Sequence, residues 1–190
     1  MSDKTSEAEI EMFVAGLVLD PASNAPIVVL KDASGDTCLP IWIGLAEATA
    51  IASALKKVQL ARPMTHDLLK DLVDELGGRV VKVVITELQE NTFIANIEIV
   101  VGDVVKVVDS RPSDAIALAV RTDAQIMVRP EVLDQAQVTL VSVNTEEGEE
   151  EFEVVGGDEE GGSKNFANID KDKWAEILAE MDPDDFKYKM

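Results

Sequence analysis

Twice along this chain a series of β-type segments switches abruptly to helical periodicity. Ile41-Trp42-Ile43 leads into Gly44, after which Ala48, Ile51, Leu55 and Val58 recur at helical spacing. Val107-Val108-Asp109 leads in the same way into Arg111 and the apolar helix beyond it. Before the first switch come Ile10 to Leu19, Ile27 to Leu30 and Thr37 to Ile43. Before the second come Arg79 to Leu88, Thr92 to Val101 and Val104 to Asp109, with Gln89 to Asn91 and Gly102-Asp103 as turns. This order predicts an α+β fold of two meander-plus-helix units, forming a mixed or antiparallel sheet packed with helices. Residue-level similarity between the units is weak, so the duplication is an expectation about architecture.

A further helix is expected after Arg62-Pro63, with Thr65 as its cap, Asp67 in the first turn and Gly77-Gly78 as the stop. Its apolar residues Leu68, Leu69, Leu72, Val73 and Leu76 are expected to face inward. Gln125 to Val128 reads as a short strand, Glu131 to Ala136 as a helical turn and Val138 to Val143 as another strand. The boundaries that follow are a frayed terminus over 1–9, a domain over 10–143, an acidic linker over 144–169 and an appended C-terminal helix and tail over 170–190. Asp170 would cap that last helix, and Trp174, Ile177, Leu178 and Met181 would form a stripe that docks elsewhere.

Charge restricts the functional classes. The formal net charge is −20, which argues against a nonspecific polyanion-binding surface. More than half of the excess falls in the 144–190 segment, so the domain is only mildly acidic and a local arginine cluster there can still receive a phosphate. With one cysteine the chain forms no intrachain disulfide or cysteine-based zinc cluster. No signal peptide or long apolar run is evident, and the expectation is a cytoplasmic protein without a membrane partner. Cys38 has no neighbouring His or Lys in sequence and is expected to be a small buried hydrophobe.

The chemistry-bearing residues gather at helix entrances. Asp109-Ser110-Arg111-Pro112-Ser113-Asp114 places a cap, a proline suited to the first turn and a carboxylate at the positive end of a helix dipole. His66 is the only histidine, so chemistry that requires an imidazole depends on it. Glu47, Asp67, Asp109 and Asp114 are carboxylates of the kind Mg²⁺ or Mn²⁺ accepts. Arg62 and Arg111 each precede a proline and are candidates for holding a phosphate, with Ser113 beside them. The same arginines can instead pair internally with Asp67 and Asp114. Each residue alone more often builds a helix end than a site.

Several ordered motifs together carry a resemblance. Leu39-Pro40-Ile41-Trp42-Ile43-Gly44 with Glu47-Ala48 and Ile51, Arg62-Pro63 with Thr65 to Leu69, Thr92-Phe93 with Ala95, and Asp109 to Ala119 closely resemble the bifunctional nuclease domain family. The likeness covers about Met12 to Ala136. It implies an α+β fold, a homodimer, and DNase and RNase activity. On this reading His66, Asp109 and Asp114 are nominated as catalytic, Arg62, Arg111 and Ser113 as substrate-binding, and Glu47, Asp109 and Asp114 as ligands of Mg²⁺ or Mn²⁺. The alternative is a non-catalytic dimeric binding or regulatory module, in which the same polar helix ends build the fold. A third reading has the acidic tail occlude a groove.

Overall fold

The computed structural model describes residues 8–20, 23–58, 60–136, 139–144, 150–155 and 164–166. Strands β1 (Ile10–Leu19), β2 (Pro26–Asp32) and β3 (Cys38–Trp42) form a meander followed by helix α1 (Leu45–Leu55). After helix α2 (Thr65–Glu75), strands β4 (Gly78–Gln89), β5 (Thr92–Val101) and β6 (Val104–Ser110) form a second meander followed by helix α3 (Pro112–Thr122). Strand β7 (Gln125–Val128) and helix α4 (Pro130–Ala136) come next.

The sheet order is β3-β2-β1-β7-β4-β5-β6. Each meander has its first strand innermost, and β7 joins the two, antiparallel to β1 and parallel to β4. The fold is therefore α+β with a mixed sheet, as the alternation of periods predicts. Residues of β3 and β5, with four strands between them in this order, line one cavity, so the sheet curls towards its helices.

The core lies between the sheet and α1 and α3. Val28, Leu30, Leu39, Val83 and Ile85 from the strands belong to the same buried cluster as Ala48 and Ile51 of α1 and Ile116 and Leu118 of α3. Helix α3 is buried along Ala115 to Ala119, and each large side chain removed from water there contributes about 1.5–3 kcal/mol. Small residues let it lie close to α1. A rigid anchored helix therefore carries the polar residues of its entrance.

Three helical expectations are corrected. Thr65 is not the cap of α2: Met64 takes that position, and its backbone N–H donates to Asp67 Oδ2 at 2.9 Å. Leu68, Leu69, Leu72 and Leu76 do not face inward but are exposed, while Val73 packs against the core. Periodicity gives α2 one apolar stripe, and among the described residues only its edge packs on the core. Gly77 does stop the helix, at a φ of +73° that an L side chain rarely adopts. The first long helix also ends at Leu55 rather than Val58.

Within 144–169, expected as a linker, strands appear. Strand β8 (Thr139–Asn144) pairs with β9 (Glu150–Val155), and β9 with β10 (Lys164–Phe166), forming a three-stranded antiparallel sheet. Phe152 and Val154 alternate with Glu151 and Glu153, a strand period that the acidic composition masks. The expected C-terminal helix over 170–190, with its Trp174 to Met181 stripe, lies outside the described residues, as does the frayed segment up to residue 7.

Cys38 is buried, as expected, but Lys31 is its register partner on β2. Burial pushes the thiol pKa up despite the lysine charge, so the group stays a neutral core thiol.

Candidate active site

Three helix entrances meet on one side of the molecule, and each brings a polar residue because helix starts leave backbone N–H groups without intrahelical partners. Gly44 caps α1 in an extended conformation and Glu47 lies in the first turn. Arg111 caps α3, with Pro112 opening the helix and Asp114 in its first turn. His66 follows Thr65 in the first turn of α2. Tight packing of α1 and α2 on α3 brings these ends together although they are far apart in sequence.

Arg111 binds Asp114 bidentately, Nε donating to Oδ2 at 2.7 Å and Nη2 to Oδ1 at 3.1 Å. Its Nη1 lies 2.9 Å from Glu47 Oε1. On the other side of the carboxylate, His66 Nε2 is 3.2 Å from Asp114 Oδ1. The chain Glu47–Arg111–Asp114–His66 thus links all three helices. The Arg111 side chain is 65% exposed, whereas that of His66 is 13% exposed, so the imidazole is held in the wall while the guanidinium faces solvent.

Burial pushes the Asp114 carboxyl up, but hydrogen bonds from Arg111 and His66, with their charges, outweigh it and hold its pKa below the usual 3.8. The bond to Asp114, with the charges of Asp114 and Glu47, raises the Arg111 pKa against a small opposing effect of burial. Asp114 is a fixed anion that orients both neighbours.

Beneath this chain lies a supporting pair. Arg121, seven residues after Asp114 and so on the same face of α3, donates from Nε to Asp67 Oδ1 at 2.5 Å. Its Nη1 donates to the Ala117 carbonyl at 2.8 Å and its Nη2 to Ser53 of α1 at 3.3 Å. Adjacent residues of α2 therefore dock on α3, His66 on Asp114 and Asp67 on Arg121. Asp67 was expected to have Arg62 as a possible partner, and Arg121 was not singled out. The signal for it was the seven-residue spacing from Asp114.

An open cavity of about 570 Å³ is lined by Glu47, His66, Asp109, Ser110, Arg111 and Asp114, with Leu69 of α2 and Val108 of β6 on its rim. A second cavity, of about 420 Å³, adjoins it through Glu47 and Arg111 and includes Ser113. Six of the seven nominated residues thus border this double cleft. Arg62 does not: it is exposed on the loop before α2 and lines neither cavity.

Glu47, Asp109 and Asp114, nominated as ligands of Mg²⁺ or Mn²⁺, border the same cavity. Among the described residues no group of three or more His, Cys, Asp and Glu side chains is spaced to hold a metal ion. The Arg111 guanidinium bridges Glu47 and Asp114, taking the position between two anions where a cation would sit.

A model of the bifunctional nuclease domain matches residues 28–141, more than half of the chain and the whole of the cleft. The chain belongs to the bifunctional nuclease domain family. An uncharacterised protein of Mycobacterium tuberculosis is 38% identical over 93% of this chain and 98% of its own length. Bifunctional nuclease 2 of Oryza sativa is 33% identical over 60% of this chain, and bifunctional nuclease 2 of Arabidopsis thaliana 34% identical over 55%. The match spans only 36% and 32% of those two plant proteins, so their likeness concerns the domain alone. The family match extends over every residue of the hydrogen-bonded chain from Glu47 to Asp114. No helix among the described residues is long and apolar enough to cross a membrane.

Proposed function

We propose that this family member hydrolyses phosphodiester bonds of RNA and DNA in the cleft at the three helix entrances. The observation that carries the reading is that Glu47, His66, Asp109, Arg111 and Asp114 border one solvent-open cavity. In this reading His66, oriented by Asp114, accepts a proton from the attacking water. Arg111 offers its remaining N–H groups to a phosphate oxygen and offsets the charge that grows on phosphorus-bound oxygen as the new P–O bond forms. The leaving oxygen takes its proton from solvent, relayed through the carboxyl of the exposed Asp109 on the same cavity wall, as the old P–O bond breaks. Glu47 positions Arg111, and Ser113 lines the adjoining cavity on the substrate's path. Arg111 supplies the positive charge between Glu47 and Asp114, and Mg²⁺ or Mn²⁺ would add to it where a phosphate brings further oxygens to these carboxylates.

The working protein is proposed to be a homodimer. Strand β6 is an edge of the main sheet and exposes Val104, Val105, Val107 and Val108, and α2 exposes Leu68, Leu69, Leu72 and Leu76. An uncovered edge strand with this much valine invites pairing with another chain. Since Leu69 and Val108 also rim the cavity, a second copy on this face would wall the cleft. The neutral, buried Cys38 suits the proposed cytoplasmic setting.

The second reading, a non-catalytic dimeric binding or regulatory module, draws on the full pairing of Asp114 with Arg111 and His66. The test is cleavage of labelled single-stranded RNA and double-stranded DNA by the full chain with Mg²⁺, Mn²⁺ or EDTA, alongside folded Asp114→Ala and Arg111→Ala. Cleavage by wild type that both substitutions abolish supports the nuclease. Cleavage that all three proteins share marks a contaminant and leaves the binding module.

A further inference from the structure

The second cavity has a composition that hydrolysis does not explain. It lies where β3 ends, α1 begins and the β4–β5 hairpin turns, and Trp42 and Phe93 line it together with Asn91. Trp42 is 50% exposed, an unusual placement for the largest apolar side chain in a domain with few aromatics. Phe93 is partly buried and packed against the core, which makes that wall rigid. Asn91 belongs to a hairpin turn whose two central residues, Glu90 and Asn91, both have left-handed φ, +47° and +61°. An amide there offers donors and an acceptor on a fixed backbone.

We infer that this cavity is a subsite for one unstacked nucleobase, so that the substrate is single-stranded at the nucleotide next to the bond that reacts. The inference rests on the nuclease reading and adds what that reading leaves open, the strandedness of the substrate. Three features carry it. The cavity offers an aromatic face, and every base has a π-face to stack on it. Its polar contribution from the hairpin, Asn91 and Thr92, lines the same space as Trp42 and Phe93 and can meet the hydrogen-bonding groups of a base edge. Most directly, it shares Glu47 and Arg111 with the larger cavity that contains His66. One guanidinium thus borders both spaces. A phosphate on Arg111 leaves its nucleoside on the Trp42 side and the reacting bond on the His66 side, a geometry closed to a base still stacked in a duplex.

The experiment compares binding of a ten-nucleotide single strand and the matching duplex by the full-length wild type, Trp42→Ala and Trp42→Phe, with thermal melts to confirm folding. In a Trp174→Phe chain, which leaves Trp42 as the one indole, fluorescence reports contact directly. The expected result is a loss of about 5- to 100-fold in single-strand affinity for Trp42→Ala. Trp42→Phe should recover most of it, duplex binding should not change, and the single strand should quench Trp42. A Trp42→Ala chain that binds the single strand as wild type does overturns the subsite while leaving the nuclease reading standing. So does a change in oligomeric state with unchanged affinity, which assigns Trp42 to a protein contact. A wild type that neither binds nor cleaves nucleic acid removes the nuclease reading and the subsite with it.

Discussion

His66 Nε2 and Asp114 Oδ1 lie 3.2 Å apart across 48 residues of chain, and this contact fixes the only histidine against the open cleft. It depends on how α2 sits on α3, because α2 has no fully buried residue of its own. The neighbouring pair, Asp67 with Arg121, holds the helix in place. Position of the imidazole and docking of α2 are therefore one property of the fold.

Replacing Arg121 with Met should loosen that docking. The Arg121 side chain is 6% exposed and Asp67 39% exposed, so the pair is shielded on one side only and the expected cost is about 1–3 kcal/mol, below that of a fully buried pair. Urea unfolding measures it. Cleavage should fall as well, since His66 moves with α2, and Arg121→Lys should recover only part of both losses because it lacks the fork that reaches Asp67, Ala117 and Ser53.

Acid should release both contacts. For Asp67, burial raises the pKa, but the hydrogen bond from Arg121, the Met64 N–H and nearby positive charge outweigh it, so the value lies below 3.8, as it does for Asp114. A carboxyl with a depressed native pKa contributes stability that is complete above its unfolded value and disappears as pH falls through the native one. Unfolding midpoints should therefore drop as pH falls from the ordinary carboxylate range downward. Asp67→Asn should show a shallower drop over the same window, and a parallel curve would show that the Arg121 pair contributes nothing.

Gly44 should matter to activity more than to stability. Its backbone is extended at φ −76°, open to any residue, but a Cβ there would run into Glu47 Oε2. The carboxylate is the end of a flexible side chain and can swing away. Gly44→Ala should cost no more than about 1 kcal/mol in a thermal melt. It should lower cleavage on the order of tenfold, because Arg111 loses one of the two anions that aim it.

A charge on the exposed edge tests assembly. Val107 is 61% exposed on β6, so Val107→Lys should leave the monomer folded. Sedimentation should show the wild type as a dimer and the variant shifted towards monomer. Identical behaviour of the two would place any interface elsewhere.

Much of this was legible in the sequence because the physics is local. The change from strand to helical period at Gly44 and Arg111 marks both units, and Pro112 after Arg111 marks a helix start that the structure confirms. Long-range placement was not legible. Gln125 to Val128 reads as a strand, but nothing in four residues says that it inserts between β1 and β4 and joins two meanders. The stripe of α2 looks the same whether it is buried in its own chain or left exposed, which is why Leu68 and Leu72 were expected inside. The cleft shows the same division. Glu47, His66, Arg111 and Asp114 announce themselves as polar residues at helix entrances. The choice of Arg121 over Arg62 as partner of Asp67 depends on a helix crossing that spacing alone does not fix.

The most direct test of the account is single-turnover cleavage of labelled single-stranded RNA by wild type and His66→Ala, with and without added imidazole. The account predicts a loss of at least about 100-fold in His66→Ala and partial recovery with imidazole, in a protein that still melts cooperatively. Cleavage by His66→Ala at the wild-type rate would contradict it, and would remove the His66–Asp114 contact from the chemistry.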